Sequence, residues 1–157
     1  MWPAHWPRIA VDTAEATVAA VDAARTADAA AFGDALDVLA DVPHEQVVAV
    51  HSGIVRELLE TRYADGLATD DVRALLEACV RAAHWSVDAS PHALAAVLTG
   101  ALGVAEPDPS DAAVLAPRAV TAAAVLVVVE LSGGRDVREP LVRALGEIAR
   151  AETVEMP

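Results

Sequence analysis

The stretch Ala119 to Val129, Ala-Val-Thr-Ala-Ala-Ala-Val-Leu-Val-Val-Val, carries no charged side chain and constrains the architecture more than any other part of the chain. Arg118 and Glu130 bound it. It falls well short of the ~20 apolar residues that a membrane-spanning helix needs. A helix that is apolar all round must instead be covered on several sides by neighbours. By composition, Val125 to Val129 also suits a buried strand, but the alanine-rich approach favours helix. The expected fold is therefore all-α: a compact, irregular bundle of six to seven helices around a central apolar helix at about 117–131, forming a single helical domain over 1–157.

Helical periodicity and cap residues place the other elements. Pro43 suits the first turn of a helix running to about Tyr63, with Val47, Val48, His51, Ile54, Val55, Leu58 and Leu59 recurring at spacings of three and four. Thr69 or Asp70 opens the next helix, whose inner face is Val72, Leu75, Leu76, Cys79, Val80 and Ala83. Ser90-Pro91 reads as an N-cap with proline at N1, starting a short helix closed by Gly103. The segment Ala105 to Asp111, with Pro107 and Pro109, reads as a loop. The long apolar helix then runs from about Asp111 to Leu131, with its real start at Pro117, and Gly133-Gly134 ends it. A last helix starts at Asp136 and reaches about Glu152.

Between Asp12 and Asp41 lie seven acids and one basic residue, set among alanines. Asp12 followed by Glu15 resembles a capping box, so the first helix is expected to start there, with Gly33 bending or breaking it. On one continuous helix, Asp12, Glu15, Asp22, Asp34, Asp37 and Asp41 share a stripe, while Asp28 alone lies off it. Ahead of it, residues 1–10 read as an extended arm bearing Trp2 and Trp6, each followed by proline. Those rings dock either on the protein's own bundle or on a second protein.

Charge narrows the function classes. Eleven Arg, with no Lys, stand against 24 acids, a net charge of −13. That balance argues against nucleic-acid binding and against an anionic membrane surface; it suits a basic protein partner. The arginine-only, alanine- and valine-rich composition is of a bacterial kind. Cys79 is the lone cysteine, so no internal disulfide can form. Together with the lack of a secretory-signal pattern in Met1 to Pro7, this leads to the expectation of a cytoplasmic protein.

Residue chemistry offers no specific catalytic signature. His51 lies on an apolar helix face, where a hydrogen-bonded core histidine is the plainer explanation. His44 and His51, seven residues apart, are separated by ~10.5 Å along a helix axis and cannot share one metal ion. His84, Asp88 and His92 have a spacing of four, but Ser90-Pro91 interrupts the helix between them. The leading expectation is thus a non-enzymatic interaction or regulatory domain, without cofactor or metal, acting through the acidic face of Asp12, Glu15, Asp22, Asp34, Asp37 and Asp41, through Trp2 and Trp6, or through both. Small alanine faces suggest a helix-mediated homodimer. The alternative is a small-molecule- or metal-binding helical protein, enzymes included, with a pocket formed by His51, Arg81, His84, Asp88 and His92.

Overall fold

The computed structural model describes residues 2–103 and 115–155, with side chains as far as residue 151. Among the described residues there are seven α-helices and no strand: α1 (Arg8–Arg25), α2 (Ala29–Ala40), α3 (His44–Arg62), α4 (Thr69–Ala82), α5 (Pro91–Ala101), α6 (Pro117–Ser132) and α7 (Arg138–Glu155). Val125 to Val129 lie within α6, which disposes of the strand alternative. The loop expected at Ala105–Asp111 and the turn expected ahead of Pro117 fall on residues 104–114, outside the described residues.

The sequence of α6 explains its position. Every residue from Thr121 to Val128 is buried, so all of its sides are covered. Helices α1, α2, α3, α4 and α5 all pack against it. One continuous apolar core draws on all seven helices, with Phe32, Ile54, Leu94, Leu98, Val125 and Leu141 among its fully enclosed side chains. Large aromatics are few, and Phe32 meets Trp85 edge to face, with ring centroids 5.2 Å apart.

Local signals fix most helix ends. The Ser90 hydroxyl accepts from the Ala93 N–H at 3.2 Å, and Pro91 follows at N1 as expected. Asp71 reaches back to accept from the Ala68 N–H at 3.0 Å, so α4 opens at Thr69. Asp136 accepts from the Arg138 N–H at 3.0 Å, which puts the first residue of α7 just after the expected start. Gly133, with φ +57°, ends α6 in the left-handed region that favours glycine.

The first third of the chain departs from expectation in two ways. Helix α1 starts at Arg8, after Pro7, so Asp12 is not its cap but lies one turn inside it. The Pro7 carbonyl accepts from the Ala10 and Val11 N–H groups, and the arm contracts to residues 2–6, turned by a hydrogen bond from the Trp6 N–H to the Pro3 carbonyl. The break between the first two helices falls at Thr26–Asp28 instead of Gly33. There the Asp28 N–H bonds to the Ala23 carbonyl at 2.9 Å and the Ala27 N–H to the Ala24 carbonyl at 3.1 Å. This is a Schellman closure, with Ala27 at φ +53° in the position usually held by glycine. Asp28 Oδ1 then accepts from the Ala31 N–H and caps α2. The acid that lay off the stripe is the one that separates the two helices.

Gly33 sits inside α2 and does not end it. Its carbonyl accepts from Arg118 Nη2 at 3.3 Å, and a Cβ at this position would meet that same nitrogen at 3.5 Å. That is an ordinary contact, so the guanidinium lies against the helix without requiring glycine there.

Candidate functional site

Helices α1 and α2 form a hairpin, which redistributes the acidic residues. Asp12, Glu15 and Asp34 rim a groove of about 400 Å³ between the two helices, floored by Ala16, Ala19, Ala31 and Ala35, with Val38 at its edge. Val38 is 47% exposed, an apolar side chain left in water beside carboxylates. Among the described residues the single ion pair on this rim is Arg8 to Asp12 at 3.7 Å, with Arg8 almost fully exposed. A pair of that kind contributes little and is screened by salt. Asp22 and Asp41 are exposed but do not line the groove. The continuous stripe is thereby corrected to a three-carboxylate rim, because the chain reverses at Ala27.

Asp37 leaves the stripe altogether. Arg118, at the start of α6, donates from Nη1 to Asp37 Oδ1 at 2.6 Å and from Nε to Asp88 Oδ1 at 3.0 Å. Both carboxylates raise the pKa of the guanidinium, chiefly through these hydrogen bonds, Asp37's the larger. One side chain thus joins α2, the α4–α5 connection and α6. Asp88 is an anchor for Arg118, which removes it from the pocket expected around His84 and His92. Arg81, His84 and His92 are themselves exposed. Among the described residues, no three His, Cys, Asp or Glu side chains are grouped to hold a metal ion.

His51 is the histidine the fold encloses, at 2% exposure. Its Nε2 lies 3.0 Å from Thr17 Oγ1 on α1. The Thr17 hydroxyl donates its one proton to the Thr13 carbonyl at 2.8 Å, so it can only accept from the imidazole. His51 is therefore assigned as the neutral tautomer with the proton on Nε2. Burial pushes its pKa down to about 4, since a charged imidazole would lose its hydration. Nδ1 is then an unprotonated acceptor, and it is buried without a hydrogen-bond partner.

His51 also forms part of the wall of a cavity of about 160 Å³ between α3, α5 and α6, together with Val47, Val97, Ala101, Val120 and Thr121. Most of its lining is aliphatic. The Thr121 hydroxyl donates to the Pro117 carbonyl at 3.0 Å. Of the five residues expected to form a pocket, His51 alone takes part in this one. Sequence reading passed over Thr17 and Arg118. Thr13 and Thr17, spaced by four on an alanine-rich helix, were a detectable sign of a polar contact inside the bundle. A lone arginine at the head of an apolar helix was a weaker one.

Cys79 and the two tryptophans of the arm pack against the core. Cys79 is 1% exposed, and burial is the main cause pushing its thiol up to about 12, so it is an inert core side chain. Trp2 and Trp6 stack with centroids 5.8 Å apart and 15° between planes, half-buried against the core of the same chain. No helix among the described residues is long and apolar enough to cross a membrane. In comparisons with known proteins, no family model matches this chain, and neither a curated protein nor a solved structure does.

Proposed function

We propose that this chain is a protein-binding domain that receives a basic, amphipathic segment of a partner in the groove between α1 and α2. One observation carries the reading. Asp12 and Glu15 of α1 and Asp34 of α2 line one groove with an alanine floor and the exposed Val38, carboxylates beside an apolar strip. Arginine or lysine side chains on a partner would meet the rim while its apolar side covers the floor. The net charge of −13 would speed the encounter at low salt. Asp37 has no part in this contact, because Arg118 already holds it. The reading keeps the protein non-enzymatic, and it includes homodimerisation in a bacterial cytoplasm, for which the arginine-only composition and single cysteine are suited.

The test uses a fluorescently labelled amphipathic peptide of alternating leucine and lysine helical faces, titrated at low and moderate salt. The triple variant D12N/E15Q/D34N is expected to bind it at least about tenfold more weakly than the parent. A control variant neutralising Glu60, Glu139 and Glu147, three acids on α3 and α7, is expected to stay within about twofold to threefold. Equal losses in the two variants would mean that only total charge matters, and would overturn the groove. Light scattering on the same samples reports the oligomeric state.

A further inference from the structure

A basic, amphipathic helix of the kind that suits the α1–α2 groove is present on the surface of this same chain. In α7, Arg138, Val142, Gly146 and Arg150 follow one another at intervals of four, the spacing of a ridge along one side of a helix. Arg138, Val142 and Arg150 are exposed, Val142 being one of the large apolar side chains left in water. Arg143 lies off this ridge and is held by Glu57 of α3. Arg138 meets Asp136 at 3.4 Å, an exposed pair of the weak kind.

Gly146 is a second, independent sign. Glycine inside a helix is less stable than alanine. Gly53 on α3 has a packing reason, since a Cβ there would press on the Ala144 Cβ of α7 at 3.4 Å. At Gly146 a Cβ would meet nothing within 4 Å, so no contact among the described residues calls for glycine. A glycine on a helix surface lets another backbone come close. The floor of the groove, Ala16, Ala19, Ala31 and Ala35, is built of equally small side chains. The lengths also match. The groove lining runs from Asp12 to Ala19 on α1 and from Ala31 to Val38 on α2, ~10.5 Å along each axis. Arg138 and Arg150 stand ~18 Å apart along α7, so they would reach the carboxylates from just beyond the two ends, with Val142 and Gly146 over the floor. Helix α7 packs beside α1 within the chain, and a two-fold axis could engage groove and ridge of both copies at once. We infer that the occupant of the groove is α7 of a second copy of this chain, in an isologous dimer, which takes the groove reading above as its premise.

Sedimentation velocity at low salt and protein concentrations up to about 0.5 mM follows the dimer. Two charge-reversed variants test the pairing: R138E/R150E carries an acidic ridge, and D12R/E15R/D34R a basic groove. Each alone is expected to dissociate at least about tenfold more readily than the parent. Their equimolar mixture should form a one-to-one heterodimer, because both contacts become complementary again. The two variants also differ in net charge, so Gly146→Leu added to both separates contact from bulk attraction. The leucine starts in open space in the monomer, yet it would hold α7 off the alanine floor and should abolish the heterodimer. A parent that stays monomeric, a mixture that does not pair, or pairing unaffected by Gly146→Leu would each overturn the inference. A monomeric parent that still binds the leucine–lysine peptide through Asp12, Glu15 and Asp34 would remove α7 as the occupant and leave the groove reading standing.

Discussion

Arg118 donates to Asp37 at 2.6 Å, and through this bond the head of the apolar helix α6 is tied to the acidic face of α2. The same guanidinium holds Asp88, whose side chain is 21% exposed against 70% for Asp37. Solvent weakens the outer pair far more than the inner one.

Removal of Arg118 should therefore be felt mainly through Asp88. Arg118→Met is expected to lower stability by about 1–2 kcal/mol, since it leaves a mostly buried carboxylate without its donor. Asp37→Asn should cost about 0.5 kcal/mol or less, as exposed pairs do. Urea denaturation of the single and double variants gives both coupling energies. A larger coupling for Arg118 with Asp37 than with Asp88 would contradict the geometry.

Ala27 takes the left-handed turn and Gly33 the helix interior, the reverse of their residue types, and two substitutions test this. Ala27 adopts φ +53°, a left-handed conformation that costs a non-glycine residue about 1–2 kcal/mol. Ala27→Gly should relieve that strain, offset in part by the flexibility glycine adds to the unfolded chain, for a net gain of about 0.5–1 kcal/mol. Gly33 lies inside α2, and a methyl group there would meet Arg118 at an ordinary 3.5 Å. Gly33→Ala should thus stabilise by about 0.5–1 kcal/mol. Thermal and urea unfolding report both values. Destabilisation by Ala27→Gly would mean that the chain does not reverse there.

These two positions also show why the first third was the least legible part of the sequence. Glycine is the usual marker of a helix end, and it sits in the wrong place: Gly33 lies inside α2, where its carbonyl accepts from Arg118 of α6, 85 residues away in the chain, a contact no local pattern reveals. The true break uses alanine in a glycine position, with Asp28 as cap, and an alanine–aspartate pair inside an alanine-rich run carries little signal. The reverse holds for α5 and α6. Ser90-Pro91, Pro117 and Gly133 are local cap signals that the fold obeys, and the uncharged run after Arg118 could only be satisfied at the centre. His51 was legible as a core histidine, but the cavity beside it depends on how α5 and α6 approach α3. That approach is set by packing between distant segments.

His51 should make stability depend on pH in a defined window. The unfolded chain protonates a histidine near 6.5, whereas burial holds the folded value at about 4. Between these values the unfolded state binds more protons, so stability falls as pH falls through the window. The loss between pH 7.5 and pH 5 should be about 2 kcal/mol from this one residue, at pH values still above the ordinary carboxylate range. His51→Gln, which cannot take up a proton, should flatten this part of the profile by that amount in urea-unfolding measurements. An unchanged slope would place the imidazole in water.

The Thr17–His51 bond allows a sharper test of how the buried polar pair is held. Thr17→Val keeps the shape of the side chain but leaves the His51 Nε2–H without an acceptor, since Thr17 Oγ1 is the partner it has at 3.0 Å. An unpaired buried donor costs about 1–3 kcal/mol. Thr13 differs: its hydroxyl bonds only within its own helix, to the Ile9 carbonyl, and Thr13→Val should cost well under 1 kcal/mol by the usual net value of such a bond. Replacing both partners, Thr17→Val with His51→Leu, removes donor and acceptor together and should be less destabilising than the sum of the two single changes. Urea midpoints at pH 7.5 measure all four variants. If Thr17→Val proved as mild as Thr13→Val, the imidazole proton would have to lie on Nδ1.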